Sequence, residues 1–416
     1  MASDREFNFV LLGPTGYTGK LCAEHIVQHL PTDLKWAIAG RSAEKLEQVA
    51  KDLKDANPDR IQPEILIVQL NKQELDSLTR KTRLIINCIG PYHLYSTPVV
   101  EACANNGTHY IDATGETPWV KRIIEQYHEA AKSNGAIIIP SVGIESAPPD
   151  LLAWSLVKLI REKLSVGTKE VISSIHEIKS SGPSGGTLST ILTTFETVGL
   201  QDLIKATDPF ALAASSPPTD IPKPSIVEII FETILGVRSV SDLGTLTTSP
   251  SAVADVAIVH RSSTLMREFY GPRFYFQQFL RARNVFVAFF IHIALVIGLA
   301  LLVIPQVRWL VQRFVYPPGE GPKRDPSDRV EFRAVATADQ DTAKPKRALG
   351  KLTFQGGLYP LTGLLLAEAA MVILTDEEKV KKVSRCGIVT PATLGEEYVD
   401  RLDRVGCRIE TKLLDY

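Results

Sequence analysis

Hydrophobic and polar positions follow a strand–helix alternation through the first third of the chain. Short apolar runs predict strands buried on both faces, and apolar residues at near-helical spacing between them predict amphipathic helices. The predicted strands are Phe7–Leu12, Trp36–Ala39, Ile65–Leu70, Leu84–Ile89, Tyr110–Ile111 and Ala136–Ile139. Buried strands that alternate with helices indicate an α/β fold with a doubly wound parallel sheet, which we assign to residues 1–145.

The pattern becomes less regular after residue 145 and predicts a second, α+β domain over residues 146–416. Strands are expected at Val171–Lys179, Val330–Ala336 and Leu349–Phe354, and helices at Thr187–Val198, Leu361–Leu374 and Gly395–Leu402. Residues 317–329 are rich in Pro, Gly and charge, which predicts a linker.

One segment of the second domain, Val285–Ile304, is apolar throughout. Its 20 residues carry no formal charge and include a single His. Twenty helical residues match a hydrocarbon core of about 30 Å. Arg residues flank the segment on both sides, which leaves open a span, a hairpin or a helix lying in one leaflet. We expect residues 280–316 to associate with a membrane; the alternative is a buried core or dimer-interface helix.

A glycine-rich turn links the first predicted strand to the first helix. Three glycines there allow a tight turn, a close approach of the backbone to a diphosphate, and packing of helix on strand. The spacing is GxxGxxG rather than GxGxxG, so a purely structural turn is the alternative. The strand–turn–helix context favours a dinucleotide site in a Rossmann-type domain. The candidate contacts are Gly13, Thr15, Gly16, Tyr17, Thr18 and Gly19.

The end of the second strand indicates which dinucleotide binds. An acidic residue there would hold a ribose 2′-hydroxyl, whereas an Arg accommodates a 2′-phosphate. The chain has Arg41 and Ser42 at this point and no acid. A guanidinium pairs with phosphate in a bidentate manner, so we predict NADP(H); the alternative is a solvated Arg.

Candidate groups for the chemistry follow the fourth and fifth strands. Gly90 would let the nicotinamide side of a cofactor approach the backbone, and Tyr92 and His93 are the nearest proton donors. Tyr92 is therefore the candidate catalytic residue, with a packed aromatic ring as the alternative. Asp112 and Glu116 are expected either to take part or to cap the next helix.

Two further motifs have weaker functional interpretations. Gly182–Gly186 matches the GxSxG of a hydrolase elbow, with Asp255 and His260 as nominal partners of Ser184. An anion-holding or cofactor-covering loop, or a simple helix cap, fits this chain better. His25 and His29 lie one helical turn apart, without a third ligand in the sequence, so an exposed pair and no metal are expected.

Composition narrows the class of protein. The 416 residues are 44% hydrophobic and 22% charged, with a net charge of −1 and no long basic run, so nucleic acid is not an expected partner. The five Cys form no CxxC pair, and the N-terminus has no apolar leader, which favours reduced thiols in the cytosol.

Several motifs together resemble the saccharopine dehydrogenase-like oxidoreductases, a family that includes the trans-acting enoyl reductases. The motifs are Gly13–Gly19, Ala39–Arg41, Asn87–Tyr92, Tyr110–Glu116, Pro140–Asp150, Ser184–Thr187, Pro317–Pro322, Thr390–Ala392 and Leu394–Gly395. The resemblance implies a nicotinamide cofactor between a Rossmann domain and an α+β domain. The resemblance also supports five residues as cofactor contacts: Gly13, Thr15, Gly16, Gly19 and Arg41. Two sites depart from the family pattern, Asn71 after the third strand and Gly356–Tyr359.

The sequence thus predicts an NADP(H)-dependent oxidoreductase acting on an apolar acyl, lipid or polyketide-type substrate, most concretely an enoyl reductase. Two alternatives are a non-catalytic nucleotide-binding membrane or lipid-droplet protein and a saccharopine dehydrogenase of lysine metabolism. We expect attachment to the endoplasmic reticulum, a lipid droplet or a related membrane, with the catalytic domains in the cytosol. The resemblance to the family is consistent with this location. A homodimer is one oligomeric state that the chain could form.

Overall fold

The structure is a computed structural model that describes residues 5–218, 225–226, 229–314, 316–317, 319–384 and 386–415. Its strands are β1 (Phe7–Leu12), β2 (Trp36–Gly40), β3 (Glu64–Ile67), β4 (Thr82–Asn87), β5 (His109–Asp112), β6 (Ile137–Ile139), β7 (Thr168–Lys179), β8 (Arg238–Val240), β9 (Gly244–Thr248), β10 (Tyr275–Arg281), β11 (Arg329–Ala338), β12 (Arg347–Gln355), β13 (Gly387–Ile388) and β14 (Arg408–Leu413).

Helices connect and cover these strands. They are α1 (Tyr17–His29), α2 (Ala43–Ala56), α3 (Lys72–Lys81), α4 (Tyr92–Tyr95), α5 (Thr97–Asn106), α6 (Thr117–Ser133), α7 (Ala147–Leu164), α8 (Gly185–Thr197), α9 (Leu200–Ala206), α10 (Ala252–Leu265), α11 (Arg267–Tyr270), α12 (Val285–Leu301), α13 (Pro305–Gln312), α14 (Leu358–Thr375), α15 (Glu377–Ser384) and α16 (Gly395–Arg404). A π-helical turn spans Ile229–Ile234, and a short 3₁₀ helix spans Pro391–Leu394.

The first sheet is parallel and has the strand order β13-β6-β5-β4-β1-β2-β3. Its central strands are apolar because helices bury both of their faces; Phe9, Val10 and Leu11 of β1, for example, are fully buried. The order reverses beside β1, so the carboxyl edge of the sheet opens a crevice between β1 and β4. The predicted Rossmann-type sheet is confirmed.

The C-terminal part of the chain returns to complete this first domain. β13 adds a strand beside β6, with Ile388 paired to Ile138. α14 packs against α1 so closely that a β-carbon at Gly363 would lie 2.8 Å from the Cys22 nitrogen. The two domains are therefore interleaved in sequence, because residues beyond 357 contribute to both.

The second sheet is mixed and has the order β14-β12-β11-β7-β10-β9-β8. β7 and β10 run parallel, and the remaining neighbours are antiparallel. α7 lies across β11 and β12, where Gly350 admits Leu152 and Leu156 to the sheet surface. The second, α+β domain is thus as predicted, and its longest strands cover the predicted segments.

The apolar segment departs from the expectation of one 20-residue helix. α12 ends at Leu301, and the chain bends by 105° into α13. Pro305 explains the break, because proline has no N–H to continue the α12 ladder and forces the preceding residue into an extended conformation. The Arg308 guanidinium then caps the end of α12 by donating to the carbonyls of Leu302 and Val303 at 2.8 and 2.9 Å.

The alternative of a buried core helix is wrong for α12. Within this helix only Ala288 and His292 are buried, while Phe286 and Phe290 are 78% and 67% exposed. By length and composition, the described helices that could cross a membrane are α14, whose apolar stretch is 78% buried, and the bent pair α12–α13. α14 is the core helix that packs on α1, so the exposed apolar surface belongs to α12 and its neighbours.

Candidate functional site

The glycine turn after β1 has the shape that a diphosphate requires. Gly13 has φ = 83°, a left-handed conformation that favours glycine. A β-carbon at Gly19 would lie 2.2 Å from the Gly13 carbonyl oxygen, so only glycine permits α1 to pack on the turn. A β-carbon at Gly16 would lie 3.6 Å from its nearest neighbour, the Gly13 carbonyl oxygen, so this side of the turn has room for a ligand. Each glycine thus has a distinct geometric role.

The start of α1 is available to an anion. Gly16 is its N-cap, no side chain caps the helix, and its first turn holds no acidic residue. The N–H groups there therefore present partial positive charge to the turn. Thr15 and Thr18 are half-buried beside it and offer hydroxyl donors. These groups fit the diphosphate of a dinucleotide.

A cavity of about 210 Å³ adjoins the turn at the end of β2. Its lining includes Thr15, Gly16, Arg41, Ser42, Lys45 and Gly319. Two cations and a hydroxyl suit a 2′-phosphate, whereas a carboxylate would be expected for an unphosphorylated ribose. Lys45 is a lining residue that the sequence analysis missed, although its position in the first turn of α2, four residues after Arg41, could have revealed it.

The predicted linker passes over this side of the turn. The Tyr17 hydroxyl donates to the Pro322 carbonyl at 2.5 Å, and a β-carbon at Gly321 would lie 2.7 Å from the Tyr17 ring. The Tyr17 side chain therefore fastens residues 319–322 to α1, and its hydroxyl is engaged by the backbone of that segment. The Gly185 amide donates to the Glu320 carbonyl at 3.1 Å and attaches the same segment to α8.

The glycine-rich loop before α8 serves as a helix cap in the structure. Ser184 accepts from the Thr187 amide, and its own amide donates to the Tyr359 hydroxyl at 2.5 Å. The Tyr359 ring meets Tyr17 edge to face at 5.1 Å. Gly356–Tyr359, one of the two departures from the family pattern, thus connects this loop to the phosphate turn.

Tyr92 lies at the carboxyl edge of β4, beside the exposed Gly90. Its hydroxyl lies 3.5 Å from the Asn87 carbonyl and 3.4 Å from the Ala113 amide, and its ring stacks on Trp119. Burial, followed by the nearby Asp112, raises the pKa of the hydroxyl well above its ordinary value. These contacts place Tyr92 at the predicted edge while engaging its hydroxyl with the backbone.

Glu116 caps α4 rather than the helix that follows it. Its carboxylate accepts from the amides of Tyr92 and His93 at 2.8 and 2.7 Å and from His93 Nδ1 at 2.6 Å. α6, which begins at the next residue, receives no side-chain cap from Glu116. The capping expectation for the next helix was therefore wrong, and Glu116 instead positions the Tyr92–His93 segment.

Asp112 organises the loops beyond β5 and β6. It accepts from the Tyr110 hydroxyl at 2.6 Å and from the amides of Thr114 and Ser141 at 2.9 and 3.1 Å. Burial raises its pKa to about 7 in spite of these donors. Its role is to hold these loops together, not to cap α6.

The other motifs are not assembled into catalytic or metal centres. His260 Nε2 accepts from the Phe276 amide, Asp255 pairs with Ser251, and Ser184 contacts Thr187, so these three nominal triad members have separate partners. The expectation of an exposed His pair is wrong in part, because His25 is buried against Glu368 at 2.9 Å. Asn71 caps α3 by accepting from the Glu74 amide.

A larger cavity, of about 510 Å³, opens at the amino edge of the same sheet. Glu377 at this edge pairs with Arg83 and His109 at 2.9 and 3.3 Å. Ligands of doubly wound sheets bind outside the carboxyl ends of the strands. The smaller cavity beside Arg41 is therefore the cofactor candidate.

Comparison with known proteins agrees with this geometry. Residues 9–139 match the saccharopine dehydrogenase NADP binding domain. Trans-acting enoyl reductases of Mycobacterium bovis and Mycobacterium ulcerans are 28% and 26% identical to the chain, and each alignment covers 99% or 97% of both proteins. Among solved structures, saccharopine dehydrogenase (L-Glu forming) from Saccharomyces cerevisiae covers 98% of this chain and 100% of its own, with a TM-score of 0.55 and 13% identity. The resemblance drawn from the motifs is confirmed, and the chain is an oxidoreductase with an NADP-binding domain.

Proposed function

We propose that this saccharopine dehydrogenase-like oxidoreductase uses NADPH to reduce the C=C bond of an apolar α,β-unsaturated acyl substrate. The glycine turn and the α1 N-terminus would hold the diphosphate, and Arg41, Ser42 and Lys45 the 2′-phosphate. When bound, NADPH supplies the hydride. The chain's own residues then have to orient the acyl group, exclude water and deliver one proton.

The observation that carries this proposal is a group of acids near the carboxyl ends of β5 and β6 and the start of α10. Burial raises the pKa of Asp112 and Asp255 to about 7 and about 8, and it also raises the pKa of Glu145. The main contributions to these three pKa shifts come from burial, hydrogen bonds and neighbouring acids rather than from Lys or Arg. Asp112 and Asp255 are fully buried and Glu145 is exposed, so these acids offer a substrate negative charge or none, which disfavours a polycarboxylate such as saccharopine more than an uncharged acyl chain. The enoyl reductase names of the mycobacterial relatives point in the same direction.

Steady-state oxidation of NADPH tests the proposal. Purified protein should reduce α,β-unsaturated thioesters, and kcat/KM should rise with chain length. Each buried methylene stabilises the bound substrate by about 0.8 kcal/mol, which corresponds to roughly fourfold per methylene. Saccharopine with NADP⁺ should give no turnover. Turnover of saccharopine alone would overturn the assignment, and NADPH binding without turnover of any thioester would favour a non-catalytic role.

We also propose that the exposed apolar face docks on a lipid surface, with the catalytic domains in the cytosol. This face consists of α12, residues 305–314 with α13, and the π-helical turn. Its side chains include Phe231, Phe286, Phe290, Trp309 and Phe314, which are 49% to 83% exposed. Apolar surface of this extent is unusual on a soluble monomer. Arg313 stacks on Trp309 at 3.7 Å, an arrangement suited to the boundary between headgroups and acyl chains.

The contacts of α12 favour a helix that lies in one leaflet. Thr247 donates to the Ala288 carbonyl at 2.8 Å, and Thr248 is hydrogen-bonded to His292 Nδ1 at 2.7 Å. These bonds fix one side of α12 to β9, so lipid cannot surround the helix. Its 17 residues extend about 26 Å, short of a hydrocarbon core of about 30 Å.

The double variant Phe286→Glu/Phe290→Glu should no longer float with liposomes. Burying a Phe contributes about 2 kcal/mol, so the pair should weaken partitioning by roughly several hundredfold. The matched control is Val383→Glu, an apolar position on α15 that is 50% exposed and lies outside the proposed face. Flotation of the double variant at the wild-type level would exclude this surface as the docking site.

A further inference from the structure

Glu145 occupies the loop between β6 and α7, on the nicotinamide half of the carboxyl edge. The side chain is exposed, yet its Oε2 lies only 2.1 Å from where a β-carbon of Gly115 would stand. It thus rests against the loop after β5, which begins beyond Asp112 and carries Glu116. The Val142 amide donates to the Asp112 carbonyl at 2.7 Å and joins the two loops. Glu145 is therefore an acid that the fold holds at the reaction edge and leaves open to the cleft.

The groups that face Glu145 are acids, from both domains. Glu116 approaches it from the loop after β5, and Asp255 from the first turn of α10. The Glu145 carboxyl is accessible to solvent but is surrounded by protein atoms, so desolvation, followed by the charge of Glu116, raises its pKa. An acid in such surroundings retains its proton to a higher pH than a Glu on an open surface without acidic neighbours.

Two buried polar atoms beside Glu145 have no partner in the described part of the chain. They are Oδ1 of Asp255 and Oγ of Ser146, and both residues are fully buried. The Ser146 amide lies close to Asp255, whose other oxygen accepts from Ser251 at 2.6 Å. Unpartnered buried polar atoms are costly and recur at sites completed by a ligand or by water. These two atoms therefore indicate that a ligand or water binds in this corner of the cleft.

The backbone of the loop is strained at the same point. Ser146 has φ = 97° and Ser141 has φ = 66°, values that non-glycine residues rarely adopt. Such strain persists where the surrounding structure enforces it, and it clusters at active sites. The strain directly adjoins Glu145 and fixes the position of its backbone.

The other nearby acids are less suited to give up a proton to substrate. The Tyr92 hydroxyl faces the Asn87 carbonyl and the Ala113 amide, and the His93 ring is bound to Glu116. Asp112 accepts three hydrogen bonds inside the protein. Glu145 alone among these groups combines exposure to the cleft with an environment that keeps it protonated.

We propose that Glu145 is the general acid of the reduction, an inference that rests on the proposed enoyl reductase function. With NADPH held at the glycine turn and Arg41, a hydride supplied to the β-carbon of the substrate would leave the electron pair of the C=C bond at the α-carbon, conjugated with the thioester carbonyl. The O–H bond of Glu145 breaks, a C–H bond forms at the α-carbon, and a carboxylate remains. A proton from water in the cleft restores the acid.

Glu145→Gln tests this role in the full-length protein. The variant should bind NADPH with wild-type affinity and lower kcat/KM by about a hundredfold or more, the usual contribution of a general acid. In the wild type, kcat/KM should fall as the pH rises through the raised pKa of Glu145, and the variant should lose this dependence. Glu378→Gln, whose side chain is 92% exposed on α15, is the matched control and should match the wild type.

Two further readouts separate proton delivery from a structural role. In deuterated water, the wild type should place deuterium at one face of the α-carbon, while the residual activity of Glu145→Gln should place it at both. Infrared titration of the protein without substrate should show a carboxyl band of raised pKa that the variant lacks. Retained stereochemistry and rate in Glu145→Gln, with Tyr92→Phe inactive, would overturn the proposal in favour of Tyr92. A wild type that reduces no unsaturated thioester would instead overturn the proposed function.

Discussion

Gly19→Ala is expected to abolish NADPH binding while leaving the fold intact. The new β-carbon would lie 2.2 Å from the Gly13 carbonyl oxygen and 2.9 Å from the Pro14 α-carbon. Both are backbone atoms, so the turn itself must shift to admit the methyl group. Because the diphosphate is held by the spacing between this turn and the start of α1, even a small shift removes several hydrogen bonds at once.

Fluorescence titration with NADPH measures the effect, and circular dichroism checks the fold. The control is Gly199→Ala at the start of α9, where φ is −61° and no atom lies within 4 Å of the added β-carbon. This variant should bind NADPH like the wild type. Normal NADPH affinity in Gly19→Ala would show that the turn is only a structural element.

The first domain could be predicted well because each of its elements has a local signal. Phe7–Leu12 is a continuous apolar run that ends at a glycine, and the structure places β1 over the same residues. β13 could not be foreseen, since two residues carry no periodicity and Gly387–Ile388 joins β6 only through the folded chain. The role of α14 was hidden for the same reason. Its apolar sequence predicts a buried helix but does not identify α1 as its partner.

The cofactor half of the candidate site was accessible from sequence, whereas the reaction half was not. Gly13–Gly19 and Arg41 form a compact motif within one strand–turn–helix–strand unit, so their spacing carries the information. Glu145 and Asp255 are 110 residues apart in the chain and meet only when the two domains are assembled. Tyr92 was visible because it follows a strand, but the engagement of its hydroxyl by backbone groups was not.

The apolar segment shows that composition alone does not determine where a helix ends. Its hydrophobicity predicts contact with lipid, and the structure leaves the side chains exposed. The length argument assumed a helix through Ile304, but Pro305 imposes an extended conformation on Ile304 and turns the chain. A proline immediately after an apolar run therefore predicts the end of the helix better than the number of apolar residues does.

Arg41→Ala should weaken NADPH binding by roughly tenfold to a hundredfold and leave NADH binding nearly unchanged. A charge-assisted hydrogen bond to phosphate contributes about 1.5–3 kcal/mol to binding. NADH has no 2′-phosphate, so its binding does not depend on this bond. Lys45→Ala should show the same selectivity with a smaller loss, because an ammonium pairs with phosphate as a point charge rather than through two parallel bonds. Titration calorimetry with both nucleotides at constant ionic strength gives the two affinities directly.

The control for the change in charge is Lys51→Ala. Lys51 is an exposed cation on α2, the helix of Lys45, and it does not line the cavity. The variant should leave both affinities at their wild-type values, since salt screens charges that make no direct contact with the ligand. The selectivity of Arg41→Ala should persist at high salt, because a bidentate contact is screened less than a remote charge. Equal losses of NADPH and NADH affinity in Arg41→Ala would mean that the guanidinium supports the turn and does not select the phosphorylated cofactor.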